Sequence, residues 1–253
     1  MEDHDIYDFS QDRDAYLANV YTLIVKYVVL CGLGHIASMG VSWKLSDTYR
    51  KPEPQDKCTK FGIKLIGSTW QKRVAWDLDV NSGLYCVVLG YWYFRGCWTL
   101  ITDFLYNARN GSWLPSGDAE SLAARWSQTD YYTVNGLSLH VATQIYELII
   151  YVIVDKPTVF FAHHIAVVIT MLPTLLGGCI HQWFCIAGIA ETTNVPLVVY
   201  SLMNQIPGMK KTTFYTINGV CLWLSFTLCR LHVGWATSAW FYEVIVVLRV
   251  GWF

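Results

Sequence analysis

The chain has 253 residues, of which 54% are apolar and only 15% are charged. Soluble domains carry roughly 25% charged residues, so this composition is poor in the groups that keep a protein surface hydrated. The net charge of −1 gives no support to nucleic-acid binding through a basic face. The 12 Trp, 16 Tyr and 11 Phe exclude a disordered chain. A membrane protein or an unusually apolar enzyme remains.

Long apolar stretches along the chain favour the membrane protein. A membrane-spanning helix needs about 20 consecutive, mostly apolar residues. Six stretches reach that length, at residues 16–43, 83–106, 134–154, 158–178, 183–203 and 213–235. A seventh, at 238–253, is shorter and contains Glu243 and Arg249. We therefore predict an all-α fold, a polytopic integral membrane helical bundle with six to seven transmembrane helices.

The first fifteen residues differ from the rest in composition. They contain six carboxylates and one arginine, so they lack the basic region of a secretory signal peptide. We therefore predict an acidic amino-terminal tail over residues 1–15, followed by a single transmembrane helical domain over residues 16–253.

The distribution of Lys and Arg beside the spans predicts the orientation. Eight of the eighteen lie between the first and second spans, and in total eleven face one side of the membrane and three face the other. Because basic loops stay in the cytosol, the amino terminus is expected in the lumen of the endoplasmic reticulum or another endomembrane. The sequon Asn110-Gly111-Ser112 falls in a loop assigned to the lumen, which makes Asn110 a candidate glycosylation site.

Ionisable side chains at membrane depth indicate a site. Placing each of them near the bilayer centre raises the free energy by at least about 2.5 kcal/mol unless the side chain is paired or solvated. The most informative are Glu147, His163, His164, Glu191 and Arg230. The structural alternative is a set of buried ion pairs that hold helices together. We favour a functional site over such structural pairs, because short loops make three of the helices that carry these residues neighbours.

Helical spacing refines this prediction. Glu191 and Asn194 are three residues apart and share one face, with the Thr192 and Thr193 hydroxyls nearby. Pro196 removes the backbone hydrogen bond to Thr192, which predicts a kink and a cavity beside it. His163 and His164 lie about 100° apart around their helix. One is expected to face the cavity while the other fixes its tautomer against a neighbour.

These residues resemble, in order and spacing, the motifs of the TLC domain family. Four blocks carry the resemblance: Tyr146-Glu147, His163-His164-Ile165-Ala166-Val167, Glu191 with Pro196, and Ser225-Phe226 followed by Arg230. It covers the chain from about residue 72 to residue 253.

The best-characterised members of that family are ceramide synthases, which join a fatty acyl-CoA to the amine of a sphingoid base. His163, His164 and Glu191 match positions of their signature, in which two adjacent histidines precede a His-Asp pair and a second Asp. The chain departs from the signature at Ala190 and Asn194, which replace the later histidine and the second acid. It is therefore more similar to TLC-domain-containing proteins of unassigned chemistry than to ceramide synthases.

For an enzyme of this family, the resemblance implies acyl transfer from acyl-CoA to a lipid amine or hydroxyl. His163 or His164 would act as general base or transient nucleophile, and Glu147 or Glu191 would orient it. Asn194, Thr192 and Arg230 would bind substrate, with the guanidinium on an anionic group. We expect acyl-CoA as co-substrate, no bound cofactor and no metal.

Other functions stay open at this point. A non-catalytic lipid-binding, trafficking or sensing protein would carry similar residues, and intramembrane acids also mark ion paths in channels and transporters. The basic loop with Lys57, Lys60 and Lys64 suits the phosphates of CoA, although positive charge that only sets topology explains it as well. The expected partners are membrane lipids, with a fatty acyl or sphingoid lipid as substrate. A homodimer is one open assembly state.

Overall fold

The computed structural model describes residues 12–49, 59–60, 63–64, 70–98, 100–102, 109, 129–154, 159–205, 208–234, 238 and 242. Seven α-helices lie within these ranges: α1 (Arg13–Tyr49), α2 (Trp70–Gly96), α3 (Tyr131–Val154), α4 (Val159–Gly177), α5 (His181–Gly188), α6 (Asn194–Gln205) and α7 (Thr213–Ser225). Two short 3-10 segments (Ile189–Thr193 and Met209–Lys211) and a π-helix (Phe226–Val233) adjoin them. A hairpin of two-residue strands, β1 (Thr59–Lys60) and β2 (Ile63–Lys64), pairs antiparallel between α1 and α2.

The predicted helical membrane bundle is confirmed. Among the described residues, four helical segments are long and apolar enough to cross a membrane: Arg13–Gly40, Tyr131–Ile153, His181–Tyr200 and Thr213–Leu231. A shorter apolar helix covers Phe161–Gly177. α2 begins at Trp70, thirteen residues before the predicted span at 83–106, because the charged stretch before residue 83 is also helical.

Three of the earlier predictions lie wholly or mainly outside the described residues. Asn110 lies outside the described residues, as do residues 1–11 of the predicted acidic tail. The short stretch at 238–253 does too, apart from Ser238 and Tyr242.

Helix α3 is the centre of the bundle and packs against α1, α2, α4 and α5. Every residue from 133 to 144 is buried, although this stretch contains polar side chains at Thr133, Asn135, Ser138, His140, Thr143 and Gln144. A polar interior is expected where helices meet inside a membrane, because lipid-exposed polar groups have no partners. The polar residues of the site therefore face other helices.

The outer helices show the opposite pattern. On α7 and the π-helix, large apolar side chains are exposed, among them Ile217 at 54%, Trp223 at 65% and Leu231 at 67%. An apolar face of this size suits contact with lipid.

A cap fixes where α3 begins. The Asp130 carboxylate accepts a hydrogen bond from the Thr133 N–H at 2.7 Å, and the Asp130 N–H donates to the Thr133 hydroxyl at 3.1 Å. In this reciprocal pairing, each residue's side chain accepts a hydrogen bond from the other residue's backbone N–H at the start of the helix. Burial raises the pKa of the Asp130 carboxyl, while its hydrogen bonds to Thr133 act in the opposite direction. The cap fixes where α3 begins, and thereby the helical phase at which three side chains farther along α3 share one face.

Tyr93 of α2 is held between two glycines on neighbouring helices. Its ring is fully buried, and a Cβ added at Gly188 would lie 2.5 Å from Tyr93 Cε2. A Cβ at Gly136 would lie 3.3 Å from Tyr93 Cδ1. The absence of side chains at Gly136 and Gly188 therefore lets α3 and α5 approach the ring closely.

Gly188→Ala should destabilise the bundle, because its new methyl group overlaps a buried ring that has little room to move. We expect a loss of about 1–3 kcal/mol, measured from the unfolding of the detergent-solubilised protein. Gly219→Ala on α7 is the matched control, since a Cβ there meets nothing within 4 Å. The control should be neutral or stabilising by up to about 1 kcal/mol. Equal effects of the two changes would contradict the close packing at Tyr93.

Candidate functional site

His164 lies buried between α3 and α4, where three α3 side chains contact its ring. Nδ1 pairs with the Gln144 side-chain oxygen, and Nε2 lies 3.0 Å from Glu147 Oε2. His164 and Glu147 are 7% and 5% exposed. Tyr151 packs against the same imidazole, with ring centroids 5.2 Å apart. We call Gln144, Glu147, Tyr151 and His164 the α3–α4 cluster.

Helical geometry explains how α3 forms this cluster. Gln144, Glu147 and Tyr151 are spaced by three and four residues, so they line one face of the helix. The Gln144 side-chain oxygen accepts a hydrogen bond from Nδ1, and the Glu147 carboxylate lies within ion-pair distance of Nε2. A paired cation and carboxylate compensate each other's desolvation inside the membrane. His164 is therefore fixed in orientation and charge environment.

His163 lies on a different side of α4 from His164. Its side chain is exposed, and its ring centroid is 5.5 Å from that of His164. No hydrogen bond to His163 occurs among the residues that the structure describes. The exposed Ala166 and Thr170 follow it along the same side of α4, so small side chains border the imidazole. His163 therefore presents its ring to molecules outside the packed core, while His164 faces inward.

A second polar cluster forms where the predicted kink occurs. α5 ends at Gly188, the 3-10 segment follows, and α6 begins two residues before Pro196. The Asn194 amide donates to Glu191 Oε2 at 2.7 Å. The helix is irregular here because the 3-10 segment winds more tightly than an α-helix and because Pro196 has no N–H to donate to the backbone.

Arg230 joins this cluster from the π-helix. Its Nε donates to the Thr193 hydroxyl at 3.0 Å, and one terminal nitrogen donates to Asn194 Oδ1 at 3.2 Å. The guanidinium also lies 4.8 Å from the ring centroid of Phe226. Arg230 remains exposed, so it retains donors for an anionic group. We call Glu191, Thr193, Asn194 and Arg230 the kink cluster.

Thr192 lies elsewhere than the sequence predicted. Its hydroxyl donates to the Ile189 carbonyl at 2.6 Å, and a Cβ added at Gly90 would lie 2.7 Å from its methyl carbon. Thr192 therefore packs toward α2, and Thr193 supplies the hydroxyl that contacts Arg230.

Helix α2 lies beside both clusters, because it packs against α3 and against the 3-10 segment that carries Glu191 and Thr193. The two clusters therefore share a neighbouring helix.

Gln144 and Tyr93 were absent from the sequence-based site, and Thr193 was expected there only as a nearby hydroxyl. For Gln144 a signal existed, because it lies three residues before Glu147 and therefore on the same helical face. Tyr93 gave no such signal, since its contact with His140 depends on how α2 packs against α3.

Comparison of the chain with protein-family models gave a match to the TLC domain over residues 21–249. The matched region begins in α1 and includes both polar clusters. Comparison with curated proteins and with solved structures gave no match.

Glu147→Leu should destabilise the bundle strongly, because it leaves His164 buried beside an apolar side chain. Removing one partner of a buried pair typically costs about 3–5 kcal/mol, measurable from unfolding in detergent. Glu147→Gln keeps an oxygen acceptor at that position and should lose less. Ile149→Leu on the exposed side of α3 is the control and should change stability by under about 0.5 kcal/mol.

The double variant Glu147→Leu with His164→Leu tests whether the loss comes from the unpaired imidazole. Replacing both members of a buried pair by apolar residues is often neutral, so the double variant should recover most of the stability. If the two losses simply add, the pairing does not link α3 to α4 as described.

Proposed function

The chain belongs to the TLC domain family, and from this premise we propose that it transfers an acyl group from acyl-CoA to a lipid amine or hydroxyl. It is an integral membrane protein of a family linked to lipid biology. The observation that carries the proposal is the division of the histidine pair. His163 is exposed, and His164 beside it is fixed by Gln144 and Glu147.

In this proposal His163 is the general base. As the amine or hydroxyl oxygen of the acceptor lipid attacks the thioester carbonyl carbon, a ring nitrogen of His163 takes its proton. The carbon–sulfur bond then breaks, and the CoA thiolate leaves and takes the proton from the His163 imidazolium, which returns to its neutral form. His164 and Glu147 do not touch the reacting atoms; they hold the neighbouring backbone and side chain in place.

The location of the pair supports a substrate that enters from the membrane. His163 lies one turn after α4 begins at Val159, and α4 is an apolar helix. The positive-inside pattern places this end of α4 on the cytosolic side, with the amino terminus in the lumen, where acyl-CoA is accessible. Residence in the endoplasmic reticulum belongs to the same proposal.

His163→Ala should abolish acyl transfer without loss of folded protein. General-base removal costs typically 10²–10⁴-fold in rate, and the exposed side chain contributes little packing. The assay uses the purified chain in nanodiscs with palmitoyl-CoA and sphinganine, and mass spectrometry measures the N-acyl product. Ile169→Ala, a change at a residue 65% exposed on the same helix, is the matched control and should retain activity. Retained transfer by the His163 variant would contradict the mechanism.

One observation favours a second function, lipid binding without catalysis. The Arg230 guanidinium is exposed and oriented by Thr193 and Asn194, an arrangement suited to an anionic lipid headgroup. A trafficking or sensing protein needs such a contact but no base.

Mass spectrometry of lipids that copurify with the chain separates the two functions. Acyl-CoA or a sphingoid base supports transfer. A bulk anionic phospholipid that is lost in Arg230→Gln and kept in His163→Ala supports binding alone.

A further inference from the structure

Arg95 and the aromatic side chains around it form a group that neither polar cluster includes. Arg95 is exposed in the last turn of α2. One terminal nitrogen of its guanidinium donates to the Tyr132 hydroxyl at 3.3 Å, and the guanidinium lies 4.8 Å from the centroid of the same ring. The Arg95 side chain is therefore held beside the start of α3 while it remains open to its surroundings.

Aromatic rings border this arginine on the outer surface of α2 and α3. Trp92 contacts Tyr131 and Tyr132, with ring centroids 5.4 Å and 5.9 Å apart. Phe94 and Trp98 contact each other at 5.1 Å between centroids. Tyr131, Phe94 and Trp98 are exposed. Exposed Trp and Tyr side chains are typical of the membrane–water interface, where the apolar ring and the polar tip meet different surroundings.

The packing of helix ends places this aromatic group at one end of the bundle. A Cβ added at Gly96 would lie 2.9 Å from Thr133 Cγ2 and 3.1 Å from Cys185 Sγ. The end of α2 therefore meets the first two turns of α3 and of α5. Because three helix ends lie at one level, this level is an end of the bundle and not its middle.

The chain also reverses direction near this level. α4 ends at Gly177 and α5 begins at His181, and the connection between them contains two residues with positive φ. His181 precedes Cys185 by four residues of α5, which is about 6 Å along a helix. Such a connection between two apolar helices lies near the membrane surface, because irregular backbone exposed to lipid leaves its polar groups without partners. Arg95, the neighbour of Gly96, therefore lies within a side chain's length of the headgroup region.

The guanidinium retains capacity for an anion. Within the described residues, Arg95 makes one hydrogen bond, to Tyr132, and an arginine has further N–H donors in a planar fork. The acid that acts electrostatically on Arg95 is Asp130, but its carboxylate is occupied in the α3 cap, where it accepts from the Thr133 N–H at 2.7 Å. A phosphate group matches the remaining donors in charge and in geometry.

We propose that Arg95 binds the phosphate group of a membrane phospholipid, with Tyr132 as the positioning residue that holds the guanidinium. The exposed rings of Phe94, Trp98 and Tyr131 would then lie beside the glycerol and the first carbons of the acyl chains. No covalent bond forms or breaks at this site.

This phospholipid site is separate from the proposed acyl-transfer site. Thr133, at the level of the α2 end, precedes Glu147 by 14 residues of α3, which is about 21 Å along a helix. Glu147 pairs with His164, so the histidine pair lies toward the other side of the membrane. The lipid at Arg95 therefore belongs to the leaflet opposite the histidine pair, and the inference does not depend on acyl transfer.

Two probes that differ only by a phosphate test the site. Dioleoylphosphatidic acid carries the phosphate, and dioleoylglycerol has the same acyl chains without it. The detergent-solubilised full chain carries Arg230→Gln, which removes the exposed guanidinium of the kink cluster as a second anion site. Native mass spectrometry measures the fraction of this parent chain that retains each lipid. It should prefer phosphatidic acid by at least roughly tenfold, as expected for a hydrogen bond to a charged group.

Changes at Arg95 and Tyr132 should alter this preference. Arg95→Gln should abolish it, and Arg95→Lys should keep a part, since lysine retains the charge without the planar fork. Tyr132→Phe keeps the ring and loses the hydroxyl, and should lower the preference roughly threefold. Lys210→Gln is the matched control, because it removes the same charge from an exposed turn between α6 and α7. The control should keep the full preference.

The outcomes decide the proposal. Equal retention of both lipids by the parent chain, or a preference that survives Arg95→Gln, would overturn it. An equal loss in Lys210→Gln would overturn it too, since retention would then follow total charge. A large excess of inorganic phosphate identifies the source of the phosphate: unchanged retention supports a phospholipid, and displacement would overturn one as the ligand. The unfolding midpoint of each variant checks its fold, and the exposed Arg95 side chain contributes little packing.

Discussion

The pairing of His164 with Gln144 and Glu147 is the interaction on which the described site depends. It places a histidine and a carboxylate inside a bundle that is otherwise rich in apolar residues, where neither group is stable alone. The pair joins α3 to α4 and thereby fixes the helical phase of α4. Because His163 is the next residue back along α4, that phase also directs the exposed imidazole.

The other polar groups of the bundle extend from α3. Its buried face carries His140 and Gln144 toward neighbouring helices, and the cap at Asp130 sets where that face begins. The kink cluster approaches from the opposite side, held by Asn194 and by Arg230 of the π-helix. Helices with 3-10 and π segments often occur at functional sites, since irregular winding turns polar groups away from lipid. The family match covers this entire arrangement.

Much of the fold followed from the sequence because apolar length and loop length are strong signals in a membrane protein. The helical bundle, the helices near 134–154 and 158–178 and the irregularity before Pro196 are all present in the structure. The start of α2 was missed because charged residues continue its helix beyond the apolar stretch. The length and composition of an apolar stretch indicate where a chain can cross a membrane, but they do not indicate where its helix begins or ends.

The candidate site was less predictable, because its members meet through packing between helices. Sequence spacing predicted that Glu191 and Asn194 share a face and that the two histidines divide their roles. It gave no means of deciding between the adjacent Thr192 and Thr193: the Thr192 hydroxyl donates to a carbonyl of its own 3-10 segment, whereas the Thr193 hydroxyl accepts from Arg230. Tyr93 could not be assigned either, since its environment is defined by glycines on two other helices.

A structure of the chain in nanodiscs with bound palmitoyl-CoA would test directly whether His163 is the base. We expect the thioester carbonyl carbon to lie beside His163, with room for an acceptor lipid about 3–3.5 Å away, and His164 to stay paired with Gln144 and Glu147. An acyl group bound away from His163, or a His164 released from Glu147, would contradict it.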